Sequence, residues 1–349
     1  MRILKTLFFS SILILGACQD PAPETTNNDT SSDTTAAEQI SRPTSPKSQG
    51  DSLDAVIATE PNNIEALTLR GSLRLRFNDP NGALLDFQRV AAIDSMHAPM
   101  LLHLGELKML RNQSREARNA WTNCALADPE AIDCRINLAK LHASIQNYEP
   151  ALKYLNELIE IDEYYAPAYL FKGIVVRDAK RDTTLALQYF QKATEVEPKY
   201  VEALDLMAVT LASRKDTLAK YYYQRIIDIE PKNAEAWYKL GVHYMDIDEI
   251  NRAIEAYTQA TIIDPNQADA YYNLGYIFTV MVPDYKEALK YYSASLKAKP
   301  DNNYKAHYGR GYAYEMLGDV LKAEKEYRKT LALLPIHKPA KDGLERIRR

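Results

Sequence analysis

Residues 234–267 read AEAWYKLGVHYMDIDEINRAIEAYTQATIIDPNQ. Two small residues, Gly241 and Ala253, stand twelve apart; Tyr257 follows Ala253 by four positions and Pro265 by twelve. The same landmarks recur on both sides. The alanines are Ala83, Ala117, Ala151, Ala186, Ala219, Ala253, Ala288 and Ala323, at gaps of 34, 34, 35, 33, 34, 35 and 35. Four residues after each comes a large apolar side chain: Phe87, Trp121, Leu155, Phe190, Tyr223, Tyr257, Tyr292 and Tyr327. Upstream of each stands Gly71, Gly105, Ala139, Gly173, Ala208, Gly241, Gly275 or Gly311. A period of this length marks a stacked array, in which one short unit cannot bury its apolar face alone.

The landmarks describe a helical hairpin. Two antiparallel helices approach closely only where both carry small residues, and a larger side chain there overpacks the contact. The aromatic fills the space beside the crossing. A proline twelve residues on cannot continue a helix, so it ends the second one. It is present in most copies, with Ser95 and Glu163 in its place in two of them. Spacing varies between the first small residue and the alanine, which places the one-residue changes in the inter-helix turn.

This pattern resembles the tetratricopeptide repeat. Trp237, Leu240, Gly241, Tyr244, Ala253, Tyr257, Ala260 and Pro265 occupy the eight signature positions of that family. The resemblance covers residues 64–337 in eight copies: 64–97, 98–131, 132–165, 166–200, 201–233, 234–267, 268–303 and 304–337. Arg70 and Arg74 depart from it, standing where apolar residues are usual. Residues 51–63 read as the second half of a partial leading repeat, and residues 338–349 as a polar closing helix, which a solenoid requires because its last hairpin has no neighbour. The implied fold is all-α: a right-handed superhelical solenoid of about eight hairpins with a C-terminal capping helix.

The N-terminus belongs to another register. Arg2 and Lys5 precede a short apolar run from Leu7 to Leu15, too short to span a bilayer of about 30 Å as a helix. It reads as a signal peptide over residues 1–17. Leu15-Gly16-Ala17-Cys18 looks like a bacterial lipobox, which implies lipid on Cys18 and a membrane-anchored mature chain. Gln19 favours the outer membrane by analogy, on either its periplasmic or its surface face. Residues 18–50 are rich in Thr, Ser, Asp, Asn and Pro and poor in large apolar residues, and are expected to form a disordered tether.

Composition excludes some functions. Net charge is −4, with 43 basic and 47 acidic residues, so no nucleic-acid partner is expected. The six histidines are scattered through different repeats, without metal-ligand spacing or a Cys-x-x-Cys motif. Phosphate-cradling, dinucleotide-binding and nucleophile-elbow motifs do not occur. The repeats occupy nearly everything from residue 51 onward. No cofactor, no metal and no enzymatic activity are expected.

Two features remain. Cys124 closes one second helix and Cys134 opens the next first helix, at similar height; a disulfide and a pair of buried thiols are both open readings. Second, all 24 tyrosines lie at or after Tyr148. In the family, positions 2, 5, 9 and 12 of each first helix line the concave groove. Here those positions give Tyr238 with Val242, Tyr272 with Tyr276, and Tyr308 with Tyr312, flanked by Glu235, Asp269 and Lys305. Residues four apart share a helix face. The resemblance thus implies an interaction scaffold of the cell envelope that takes a protein or peptide partner on this tyrosine stripe. A surface protein that stacks glycan rings on it is the alternative.

Overall fold

The computed structural model describes residues 46–348, so the signal peptide, Cys18 and most of the tether lie outside the described residues. Among the described residues there are eighteen α-helices and no strand. A leading helix α1 (Pro46–Thr59) precedes four hairpins: α2 (Ile64–Arg76) with α3 (Pro80–Ile93), α4 (Ala98–Leu110) with α5 (Ser114–Ala127), α6 (Ile132–Ser144) with α7 (Tyr148–Ile161), and α8 (Ala166–Lys180) with α9 (Thr183–Val196). Four more follow: α10 (Val201–Ala212) with α11 (Ala219–Ile229), α12 (Ala234–Asp246) with α13 (Ile250–Ile263), α14 (Ala268–Tyr276) with α15 (Tyr285–Ala298), and α16 (Tyr304–Met316) with α17 (Val320–Leu333). Helix α18 (Lys338–Arg346) packs on α17. Each first helix packs on its own second helix, and each second helix on the first helix of the next hairpin. This is the all-α superhelical solenoid that the repeat implies. No described helix is long and apolar enough to cross a membrane.

The small residues do what their spacing predicts. A Cβ added to Gly241 would stand 2.7 Å from the Tyr257 ring, and one added to Gly275 2.8 Å from the Tyr292 ring. Real side chains do not approach that closely, so the bare glycine face is what seats each aromatic. Tyr257, Tyr292, Tyr327, Phe87 and Phe190 are buried as a result. The array's core is therefore a row of local clusters strung along the chain. Stability is then close to a sum over neighbouring hairpins.

Turns close the hairpins by a common device. Asn78, Asn112, Gln146, Arg181, Lys215, Asp248 and Gly318, one per hairpin in seven of the eight, adopt positive φ just after the first helix. Helix α14 differs, for it runs on into a π-helical turn, Ile277–Met281. Its repeat carries one extra residue between Gly275 and Ala288. A π-turn takes up such an insertion inside the helix, so the change is not confined to the loop. The connection between Ala298 and Tyr304 holds another extra residue, outside the turn where length variation is expected from the sequence. Helix α1 likewise begins at Pro46, inside the stretch read as tether to residue 50.

Charged residues replace apolar packing at two joints. Arg70 grips the buried Asp86 with Nε at 3.0 Å and Nη2 at 2.6 Å, and Arg74 adds a contact at 2.7 Å. Arg70 also reaches Asp54 on α1 at 2.7 Å. In the last hairpin, the buried Glu326 binds Arg310 at 2.9 Å and His307 Nδ1 at 2.6 Å. Arg70 and Arg310 each precede the glycine of their first helix, and Asp86 and Glu326 each follow the alanine of their second helix by three. The apolar pairs Leu104 with Ala120 and Leu240 with Ala256 hold the same places in the interior. Burial opposes ionisation of Glu326, but the hydrogen bonds and charges of His307 and Arg310 hold its carboxyl at about 2.

Cys124 and Cys134 are joined by a disulfide, with Cα atoms 6.1 Å apart and both residues buried. The bridge staples α5 to α6, across the junction of the second and third hairpins.

Candidate functional site

The first helices form one layer: α2 touches α4, α6 touches α8, and α14 touches α16. Equal positions of successive first helices therefore stand side by side. Three of the sequence-predicted tyrosines repeat one geometry. Tyr238 packs on Tyr257, Tyr272 on Tyr292 and Tyr308 on Tyr327, each with ring centroids 5.9 Å apart. All three are half-buried, because the ring that faces the groove also covers the aromatic beneath it. Tyr276 is exposed at 37%. Tyr312 is half-buried and set edge-on to Tyr285 at 6.5 Å, while Tyr308 is also 4.8 Å from the His337 ring.

These positions are electrostatically linked. Burial pushes the Tyr272 hydroxyl above its ordinary range, and the neighbouring Tyr276, Tyr304 and Tyr308 add to the effect. Burial likewise raises Tyr238, with Asp269 and Glu235 next in influence. Burial raises Tyr308 in the same way, so Tyr238, Tyr272 and Tyr308 remain neutral donors at physiological pH. The expected stripe is brought together, though as a half-sunk aromatic floor with Tyr276 standing clear of it. The same rings thus serve both the groove surface and the packing beneath it.

Sequence reasoning missed residues beside the tyrosines and in the hairpins ahead of them. Asn273 lies against the hydroxyls of both Tyr238 and Tyr257. Phe171 lies under Lys140, whose Nζ is 4.7 Å from the ring centroid. Val209 adds an exposed apolar side chain at 41%. Phe171 and Asn273 share position 6 of the first helix, which sits beside the groove positions counted from the family pattern, and its content varies too much between copies to stand out. Among the described residues no three His, Cys, Asp or Glu side chains are grouped so as to hold a metal ion.

His243 lies behind this floor, 1% exposed, with neither ring nitrogen hydrogen-bonded. The Tyr223 and Tyr244 rings flank it at 6.4 and 6.5 Å. Burial lowers its pKa and Lys220 acts in the same sense, against Asp246, Glu249 and Asp216. A histidine depressed in the fold binds fewer protons than in the unfolded chain. The stability it leaves intact above about pH 6.5 is therefore lost as pH falls below that value. Denaturation midpoints should be lower at pH 5 than at pH 7.5, and His243→Leu, which copies Leu73, Leu107 and Leu141 at the same repeat position, should flatten part of that slope. His142 and His337 shift in the same direction and retain the remainder. A gain from His243→Leu that is equal at both pH values would show that protonation is not its origin.

Comparison with known proteins follows the same lines. Profiles described as tetratricopeptide repeat match residues 132–165 and 283–335, and one described as TPR repeat matches residues 243–279. The human mitochondrial import receptor subunit TOM70 is 25% identical over 200 residues, 44% of this chain and 33% of that protein. A probable UDP-N-acetylglucosamine–peptide N-acetylglucosaminyltransferase, SPINDLY of Hordeum vulgare, is 29% identical over 143 residues, 39% of this chain and 15% of that protein. The chain thus spans a third or less of the length of these relatives. The C-terminal part of a TPR repeat-containing protein from Cytophaga hutchinsonii superposes with a TM-score of 0.60 at 19% identity, over 70% of this chain and 99% of that structure. These matches place tetratricopeptide repeats at residues 132–165, 243–279 and 283–335, within a chain whose hairpins stack as a helical solenoid.

Proposed function

We propose that this chain is a non-catalytic interaction scaffold that holds an extended peptide or a helix of a partner protein against its first-helix layer, at the bacterial cell envelope. The observation that carries the reading is the aromatic floor, where Tyr238, Tyr272, Tyr276 and Tyr308 present rings and hydroxyls from three consecutive hairpins. Such side chains offer large contact area at small entropic cost and keep a polar tip for a partner's backbone. Likeness to a mitochondrial import receptor subunit supports a role in handling other proteins. The lipobox-like Leu15-Gly16-Ala17-Cys18 supports anchoring through lipid on Cys18, with the outer membrane as the site. The Cys124–Cys134 disulfide supports export, since such bridges persist in oxidising compartments.

Selection of random dodecamer peptides on the full chain tests the groove. The recovered peptides should bind Tyr276→Ala/Tyr312→Ala at least five-fold more weakly, about 1 kcal/mol or more in total, while the circular dichroism spectrum is retained. Peptides that bind the double variant as they bind the parent place the site elsewhere. Retention on a polysaccharide matrix with release by free sugar, in place of any peptide, would favour glycan binding. Cys18→Ser should leave the membrane fraction or remain unprocessed; a variant that fractionates and labels with palmitate like the parent refutes the anchor.

A further inference from the structure

Resting on that reading, we infer that the groove selects a cationic partner: an extended peptide that carries a lysine or arginine about every third residue. The argument starts at position 2 of the first helices. Asp133, Glu202, Glu235 and Asp269 occupy it in the third, fifth, sixth and seventh hairpins. Three of them are the first-turn acids of α10, α12 and α14, in three consecutive hairpins. Each is exposed, and among the described residues none is held in a salt bridge. Position 2 leads by i+3 to position 5 and by i+4 from there to position 9, so on α14 Asp269, Tyr272 and Tyr276 share one stripe. The row of carboxylates thus borders the aromatic floor, and Tyr238 feels the charges of both Asp269 and Glu235.

Cations on this face cancel the row only in part. Lys239 is already committed to Asp205 at 2.8 Å. Lys140 is half-buried over the Phe171 ring, within electrostatic reach of Asp133 and Glu202 only. Lys305 begins the eighth hairpin, beyond Asp269. Between Glu202 and Asp269 the border is purely anionic. Neighbouring helix axes lie about 8–10 Å apart, and an extended chain in the polyproline II form turns once in three residues with a rise of about 3.1 Å each. Successive carboxylates therefore match every third side chain of an extended peptide, while the intervening side chains fall toward the tyrosines. Complementary charge of this kind sets partner choice and weakens with salt.

The test uses three labelled dodecamers, (Lys-Ala-Tyr)4 and its counterparts with Gln or Glu in place of Lys, titrated against the full chain by fluorescence anisotropy at low and moderate salt. The Lys peptide should bind at least ten-fold more tightly than the Gln peptide at low salt, with the gap closing at 0.3 M. The triple variant Glu202→Gln/Glu235→Gln/Asp269→Asn should lose that advantage and leave the Gln peptide's affinity unchanged. Equal or tighter binding of the Gln or Glu peptide, or a triple variant that binds the Lys peptide as the parent does, overturns the inference. Sensitivity of the Gln peptide to Tyr276→Ala/Tyr312→Ala would then show that the groove reading survives without the charge preference. If none of the three peptides binds, both fail together.

Discussion

Replacing Asp86 with alanine should lower the stability of the first hairpin by about 3–5 kcal/mol, the scale for removing one partner of a buried ion pair. Asp86 accepts from both Arg70 and Arg74, and its side chain is 2% exposed. Without it two guanidinium groups lose their buried counter-charge, Arg70 the more deeply at 14% exposed, while Arg74 keeps only the exposed Asp79 at 3.9 Å. The remaining partner of Arg70, Asp54, is mostly solvated. The contrast that tests this is a triple change, Arg70→Leu/Arg74→Tyr/Asp86→Ala. It copies Leu240, Tyr244 and Ala256 from the sixth hairpin, where the same positions are apolar or aromatic. Swapping a buried ion pair for packed apolar groups is often neutral or better, so the triple variant should recover most of the loss. Amide hydrogen exchange over residues 46–93 is the measurement, because a repeat array does not unfold in a single step. An Asp86→Ala chain as protected there as the parent would make the ion cluster a surface ornament.

Reduction of the Cys124–Cys134 bridge, or the change of both to alanine, should cost about 2.5–3 kcal/mol at the junction of the second and third hairpins. The bridge closes a separation of ten residues, and in the chain-entropy description a 15-residue loop is worth about 3 kcal/mol. Both cysteines are buried, so alanine at each site also leaves a small void. The loss should be local. Amides of α5 and α6 would exchange faster on reduction, and those of α16 and α17 would keep their protection. Uniform loss along the chain, or none at all, would contradict a staple acting between two neighbours.

The period, the small residues and the aromatics that they seat were legible in the sequence, because close helix crossing leaves a regular trace at fixed offsets. What was not legible arises from pairings across helices. Arg70 and Arg74 read as departures from the pattern when taken alone; only the fold brings Asp86, twelve to sixteen residues away, beneath both. Likewise the half-burial of Tyr238, Tyr272 and Tyr308 follows from the ring under each one. The extra residue after Gly275 was visible as a count, but whether a turn or a π-helical segment would absorb it depends on local packing: the Thr279 hydroxyl donates to the Gly275 carbonyl at 2.7 Å and lies 3.2 Å from the Tyr292 hydroxyl. Of the candidate site, the sequence located the stripe and its flanking acids, whereas Asn273 and Phe171 had no repeating signal to reveal them.

The staple between α5 and α6 also bears on length. A chain drawn out by its ends gains at most about 3.5 Å per residue, so the ten steps from Cys124 to Cys134 represent about 35 Å of contour, of which the bridge holds all but the 6.1 Å between the two Cα atoms. The oxidised molecule is a shorter rope than its residue count implies. Under tension, hairpins on either side can unravel to their full extent while the link between the second and third stays closed, and a reductant lets out a fixed, small reserve of slack.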